Sequence, residues 1–121
     1  MKTLKEALFS RKNLRTQNIF KLNDDFRFEY MPNERDQELF IGNEEYCVKL
    51  SEYHSKILYN RLGTGVRMEI MDEFESENSI YYDGRNTFEI RTISFRTLLK
   101  VKIPESQLIS LCEWFEQNMI N

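Results

Sequence analysis

This sequence of 121 residues has few of the residue types that mark catalytic and metal centres. It contains one histidine and two cysteines. His54 therefore has no second ligand of its own kind, and Cys47 and Cys112 are too few for a disulfide framework. No Ser/His/Asp, Cys/His or paired-carboxylate arrangement is indicated by spacing. The sequence therefore predicts a protein without enzymatic activity, cofactor or bound metal.

Long apolar runs are also absent from the sequence. No segment approaches the roughly 20 apolar residues of a membrane-spanning helix, and the N-terminus lacks an apolar run of signal-peptide length. We therefore expect a cytoplasmic protein, in its own cell or in a host, with both cysteines acting as small buried hydrophobes. Apolar residues make up 40% of the chain and aromatic residues 13%, so one domain spanning 1–121 can bury a sizeable core.

Two motifs that could suggest ligand binding lack the residues or the structural context that binding would need. Gly63-Thr64-Gly65 precedes a predicted strand rather than a helix, so it does not form a phosphate-binding loop. The acidic segment Asp72–Glu77 lacks the central glycine of a calcium loop. We interpret the first as a helix stop followed by a turn, and the second as a solvated loop.

Charge is distributed unevenly along the chain, although the net charge is only −3. Residues 1–22 carry a net charge of +5 and residues 23–83 a net charge of −9, followed by +4 over 84–103 and −3 over 104–121. The small overall charge argues against a dominant nucleic-acid role, but it leaves room for a local basic patch. We expect a basic N-terminal helix and lead-in over 1–22 and the body of the domain over 23–121.

The stretch from Thr87 to Met119 organises the predicted fold. Alternating apolar and basic residues predict strand structure up to Ile103, with a bulge or break near Thr92–Ser94 where the alternation changes phase. Phe95 is assigned to the apolar face of that strand. Pro104 ends the strand and suits the first turn of a helix, whose core stripe is Leu108, Leu111, Cys112, Phe115 and Met119.

Earlier segments complete an α+β fold of a single domain in the order α-βββ-α-βββ-α. The prediction is a mainly antiparallel sheet with the C-terminal amphipathic helix packed on it. A capping box at Thr3–Glu6 starts the first helix, and Ser51 and Gly63 bound a helix over Glu52–Leu62. The predicted strands include Phe26–Tyr30, Glu38–Ile41, Tyr46–Leu50, Val66–Phe74 and Ile80–Tyr82, with Ile19–Asn23 as a short strand or an extended lead-in.

Two features are candidates for partner binding. The first is a basic strand face of Arg91, Arg96, Lys100 and Lys102, with Leu98 exposed among the charges. These cations either pair with Glu69 and Glu73 on a neighbouring strand or dock an acidic protein segment or nucleic acid. The second is Trp114, which lies about 120° from the centre of the helix stripe and either packs on a loop or anchors a partner.

The order of elements is similar to the type III secretion chaperone-like fold. The similarity covers the second half of the chain: the helix end Ile57–Leu62 with Gly63, the Asp83-Gly84 turn between strands, and Pro104–Leu108 opening the last helix. The resemblance implies a non-enzymatic, often dimeric module that holds segments of another protein. The chain departs from that fold in having one strand more and a basic outer face near Arg96.

These observations lead to three expectations for function. The first is a cytoplasmic protein-binding module: an adaptor, a chaperone-like protein or a phage-encoded inhibitor of a larger protein, which could form a homodimer. The second is a nucleic-acid-associated protein that uses the basic N-terminus and the 91–102 strand face. The third is a virion or other structural subunit.

Overall fold

The computed structural model describes residues 18–32, 37–74 and 77–119. Within these ranges, two four-stranded antiparallel sheets are each followed by a helix. The first unit comprises β1 (Ile19–Asn23), β2 (Phe26–Pro32), β3 (Gln37–Gly42), β4 (Cys47–Leu50) and α1 (Glu52–Arg61). The second unit comprises β5 (Met68–Met71), β6 (Ser79–Tyr82), β7 (Thr87–Arg91), β8 (Thr97–Lys102) and α2 (Glu105–Met119).

The α+β class and the C-terminal helix are confirmed, but each sheet has one strand more than expected. Ile19–Asn23 is a true strand paired with β2. The region from Thr87 to Ile103 is not one bulged strand, because the chain reverses between β7 and β8 and the two strands pair with each other. The predicted N-terminal helix, from about Leu4 to Ser10 or Arg11, lies outside the described residues.

The two sheets share one apolar core that is rich in aromatic rings. Strand β2 buries Phe26, Phe28 and Tyr30 because these residues alternate with Arg27 and Glu29 along the strand. The ring centroids of Phe28 and Phe88 in β7 lie 5.4 Å apart with an edge-on geometry. This contact joins the inner faces of the two sheets directly.

Helix α1 begins and ends where its sequence predicts. The Ser51 hydroxyl accepts a hydrogen bond from the His54 N–H at the N-terminus, as expected of an N-cap serine. After the C-cap residue Leu62, Gly63 adopts a φ of +75°. That conformation is favourable only for glycine and stops the helix.

Helix α2 covers the core, but its buried face is centred differently from the prediction. Leu111 and Phe115 are buried as expected. Trp114, expected away from the stripe, is only 6% exposed, and its ring stacks on Tyr30 at a centroid distance of 5.1 Å. The aromatic rings of β1 and β2 widen the apolar surface under the helix, so the buried face extends to Trp114. The structure therefore places Trp114 in the core and not at a partner-binding surface.

The segment after β5 joins the second sheet to the first. The Asp72 carboxylate accepts a hydrogen bond from the Lys49 N–H at 2.9 Å, and the Glu73 carboxylate accepts one from the Ser51 N–H at 2.8 Å. The Glu73 N–H donates to the Lys49 carbonyl at 3.1 Å, and His54 Nδ1 lies 2.8 Å from Glu73 Oε1. Asp72 and Glu73 therefore bond to the edge of β4 and the start of α1, which corrects the prediction that Asp72–Glu77 is merely solvated.

We expect this junction to contribute to stability in a pH-dependent way. Burial raises the pKa of the Glu73 carboxyl, but hydrogen bonds from Ser51 and His54 more than offset this effect and lower it below 4.5. Glu73 therefore stabilises the fold above its unfolded pKa, and the stabilisation is lost as the pH falls through the lower folded pKa. Glu73→Gln should lower the urea midpoint at pH 7, and its deficit relative to the original chain should shrink on acidification. A constant deficit from pH 7 to pH 3 would contradict this role, and Glu113→Gln, on the exposed face of α2, is the control.

The cysteines are less deeply buried than predicted. Cys47 and Cys112 are both half-buried thiols. Cys112 lies beside the centre of the buried face of α2, because that face extends to Trp114. Burial, together with the nearby Glu116 and Glu113 carboxylates, raises the pKa of the Cys112 thiol. A high pKa disfavours the reactive thiolate.

Cys112 should therefore react slowly with a thiol reagent in the folded protein. We expect its modification at pH 7.5 to be at least about 10-fold slower than in denaturant, because the thiolate is scarce and partly covered. Labelling rates of the Cys47→Ala variant measure Cys112 alone. Equal rates in the folded and unfolded protein would show that α2 does not protect this thiol.

Candidate partner-binding surface

The most unusual local structure is the turn that connects β7 to β8. The Phe95 N–H donates to the Thr92 carbonyl and the Thr92 N–H donates to the Arg96 carbonyl, each at 2.9 Å. The Thr92 hydroxyl accepts from the Arg96 N–H at 3.1 Å and lies 2.9 Å from the Ser94 hydroxyl. These bonds define a three-residue hairpin loop, Ile93-Ser94-Phe95, whose last residue must adopt the left-handed conformation.

Phe95 occupies that left-handed position with a φ of +67°, the only positive value at a non-glycine residue among those described. Glycine is the usual residue at such a position, because a bulky side chain there costs of order 1–3 kcal/mol. The Phe95 side chain is nevertheless 69% exposed. Its burial therefore does not offset the strain in the isolated chain. A strained backbone that displays an apolar ring is a reason to suspect a binding role.

Two further apolar side chains lie beside Phe95. Ile93 is 56% exposed and Met71 is 53% exposed. All three line one shallow cleft on the outer face of the second sheet, together with Glu69, Ser79 and Thr92. We refer to Phe95, Ile93 and Met71 as the Phe95 patch. Such a group is large enough to place an aromatic anchor and its apolar neighbours against another surface.

Next to the patch, Arg91 is held in a polar network. Its guanidinium lies 3.8 Å from the Tyr81 ring centroid, and its Nε and Nη1 atoms lie 3.1 Å from Glu89 and 3.6 Å from Glu69. Burial raises the pKa of the Glu89 carboxyl, but hydrogen bonds from Arg91 and Thr97 lower it below its usual value. Arg91 is therefore paired with carboxylates of the same sheet. This agrees, for Arg91, with the interpretation that the basic face pairs with acidic residues of a neighbouring strand.

The first sheet contains the same type of network. Arg27 lies 4.5 Å from the centroid of the Phe40 ring and bonds to Glu29 at 3.0 Å and to Glu44 at 2.9 Å. An arginine stacked on an aromatic ring and paired with carboxylates is thus a structural device in both sheets. We therefore attribute the candidate site to the Phe95 patch and not to Arg91.

The remaining cations of the predicted basic face are all exposed. Arg96, Lys100 and Lys102 are exposed, and none of them forms an ion pair with a residue in the described ranges. Lys100 lies opposite Glu89 in the β7–β8 register. Glu73, which one of the two interpretations paired with these cations, bonds instead to Ser51 and lies against His54.

Leu98 is not exposed among the charges as predicted. The register shifts between Ile90 and Arg91, so that Thr97 and Leu98 together oppose Arg91. This bulge turns the Leu98 side chain away from the exposed cations, so that it is half-buried and packs against the core. The apolar group that accompanies the exposed cations is therefore the Phe95 patch, whereas the alternation pattern had assigned Phe95 to the core.

A second cleft lies between the turn after α1, the β6–β7 turn and the start of α2. It is lined by Gly63, Gly65, Gly84 and Glu105, among others. A Cβ atom at Gly84 would lie 2.5 Å from the Val66 nitrogen, and the Gly65 N–H donates to the Gly84 carbonyl at 2.9 Å. These glycines allow two turns to touch, and the Glu105 carboxylate opposes an anionic ligand at the start of α2.

The described residues contain no group of three or more His, Cys, Asp or Glu side chains placed to hold a metal ion. They also include no helix of the length and hydropathy needed to cross a bilayer. No family model, curated protein or solved structure matches the chain. The similarity to the type III secretion chaperone-like fold therefore rests on the order of elements alone and carries no site residues.

Proposed function

We propose that this protein is a non-enzymatic, cytoplasmic protein-binding module that docks onto a larger protein through the Phe95 patch. The observation that carries the proposal is the exposed aromatic ring of Phe95 on a left-handed backbone position that glycine would occupy without strain. Burial of the ring against a partner would offset that cost. Aromatic side chains that enter a pocket are typical energetic centres of protein interfaces.

The charge around the patch indicates the character of the partner surface. Arg96 and Lys100 are exposed on the same hairpin, whereas Glu69 and Glu89 both contact Arg91. Three cations, Arg91, Arg96 and Lys100, thus outnumber the two carboxylates on the outer face beside the Phe95 ring. An apolar pocket bordered by carboxylates matches both properties, because opposite charges at the rim accelerate and orient association.

A quantitative capture experiment tests this proposal with a matched control. Tyr53 on α1 is, like Phe95, 69% exposed, but its backbone has no positive φ. We expect Phe95→Ala to deplete the captured partner from a lysate of the native cells by at least about 10-fold, as for an interface hot spot, whereas Tyr53→Ala retains it. Equal depletion by both variants, or by neither, would contradict the assignment to the patch.

Salt dependence distinguishes this proposal from nucleic-acid binding, which the exposed Arg96, Lys100 and Lys102 also favour. Phosphate contacts would make the affinity fall steeply between 50 and 200 mM salt, by roughly 10³-fold or more for six contacts. Binding through an apolar centre with a charged rim should weaken much less over that range. A steep loss that is insensitive to Phe95→Ala would favour nucleic acid.

A further inference from the structure

Strand β8 is an open edge of the second sheet. Its described neighbour is β7 alone, because the strand order is β5-β6-β7-β8. The first sheet differs: the β1 carbonyls of Lys21 and Leu22 accept hydrogen bonds from the Gln107 amide, at 3.3 and 3.2 Å. Asp72 and Glu73 bond to the backbone of β4 and of Ser51, which follows it.

The backbone N–H and C=O groups of two lysines in β8 point away from β7. The Ile103 N–H donates to the Asn86 carbonyl at 2.9 Å, one step beyond the Thr87–Lys102 pair in the register. Bonded and non-bonded pairs alternate in an antiparallel ladder, so Lys102 and Lys100 occupy non-bonded positions towards β7. Their N–H and C=O groups therefore point to the open edge.

The side chains on this edge favour an acidic occupant. Lys100 and Lys102 project from the outer face, two residues and about 7 Å apart along the strand. A second copy of β8 in antiparallel register would place lysines near lysines, which is unfavourable. Acidic residues on an incoming strand would instead place their Cβ atoms within about 5.5 Å of the lysine Cβ atoms. The apolar residues that alternate with them on that strand would cover half-buried Leu99.

We infer that β8 accepts an extended segment of alternating acidic and apolar residues as a fifth, antiparallel strand of this sheet. The inference deepens the proposed function by naming the form of the bound segment, and it rests on that function. Lysines on this edge disfavour pairing with strands of like charge, and the bulge at Leu98 interrupts the edge. The same lysines select a strand of opposite charge, in the manner of β-strand addition.

The binding test uses synthetic peptides and does not require the native partner. A fluorescent nine-residue peptide of alternating Glu and Val should bind the protein at least about 10-fold more tightly than its Lys/Val counterpart, because charges opposite Lys100 and Lys102 determine the choice. The Lys100→Glu/Lys102→Glu variant should reverse this preference. Absence of saturable binding by the acidic peptide, or an unchanged preference in the variant, would overturn the inference.

Backbone methylation separates strand addition from adsorption by charge. In antiparallel pairing, the residues opposite Lys100 and Lys102 are the Glu residues, and their N–H groups bond to β8. N-methylation of alternate Glu residues should therefore weaken binding at least about 10-fold, whereas N-methylation of the Val residues should leave it unchanged. Equal affinities of the two methylated peptides would overturn the inference. The peptide result is independent of the capture experiment with Phe95→Ala. If the peptides fail but Phe95→Ala still depletes the partner, only the inference about β8 is wrong; if Phe95→Ala has no effect on capture, the proposed function is wrong.

Discussion

Phe115→Ala should lower the free energy of unfolding by about 3–5 kcal/mol, as is usual for removing a buried aromatic ring. Phe115 is fully buried at the centre of the α2 contact. Its ring centroid lies 5.8 Å from Phe28, 6.1 Å from Tyr30 and 5.3 Å from Trp114. Rings on three sides cannot all move inward, so the cavity should remain largely open.

Ile109 provides the matched control on the same helix. Its side chain is 54% exposed, so Ile109→Ala should change the free energy of unfolding by no more than about 0.5 kcal/mol. Urea unfolding followed by tryptophan fluorescence measures both variants, because Trp114 stacks in this cluster. Equal midpoints for Phe115→Ala and the original chain would show that α2 does not cover the sheets.

Phe95→Gly should act in the opposite direction and stabilise the isolated protein. Relief of the left-handed strain contributes about 1–3 kcal/mol, and the extra unfolded-state entropy of glycine offsets about 0.5–1 kcal/mol. The exposed ring makes little packing contribution to be lost. We therefore expect a net gain of about 0.5–2 kcal/mol in the free energy of unfolding.

The same substitution should weaken partner binding strongly, by at least about 2 kcal/mol or roughly 30-fold if Phe95 is the interface anchor. Phe95→Ala separates the two effects, because it removes the ring but retains a Cβ in the left-handed conformation. Both variants should lose the partner, and only the glycine variant should gain stability. A stabilised glycine variant that retains full affinity would show that the strain serves no binding function.

Regular elements of this fold could be predicted from the sequence because their signals are local. Ser51 and Gly63 bound α1, and Pro104 separates β8 from α2, as the capping and proline rules predict. The change of phase near Thr92–Ser94 correctly located an irregularity. It did not reveal a chain reversal, because Ile93-Ser94-Phe95 contains none of the glycine, proline or asparagine residues that normally mark a tight turn.

Features that depend on tertiary contacts could not be predicted in this way. A helical projection gives the direction of Trp114 but does not show that Tyr30 lies across from it. The same limitation applies to Asp72 and Glu73, whose hydrogen-bond partners are more than 20 residues away in the sequence. Phe95 was assigned to the core by alternation, since an apolar residue in a strand pattern is usually buried. Only its positive φ and its exposure identify it as a candidate for binding.

The most direct test of the binding account measures stability and partner retention on the same preparation of Phe95→Gly. We expect a higher urea midpoint than that of the original chain together with loss of the captured protein, whereas Tyr53→Ala should leave both measurements unchanged. A lower midpoint with the partner fully retained would contradict this expectation, because Phe95 would then be a structural residue of the turn and not the anchor of an interface.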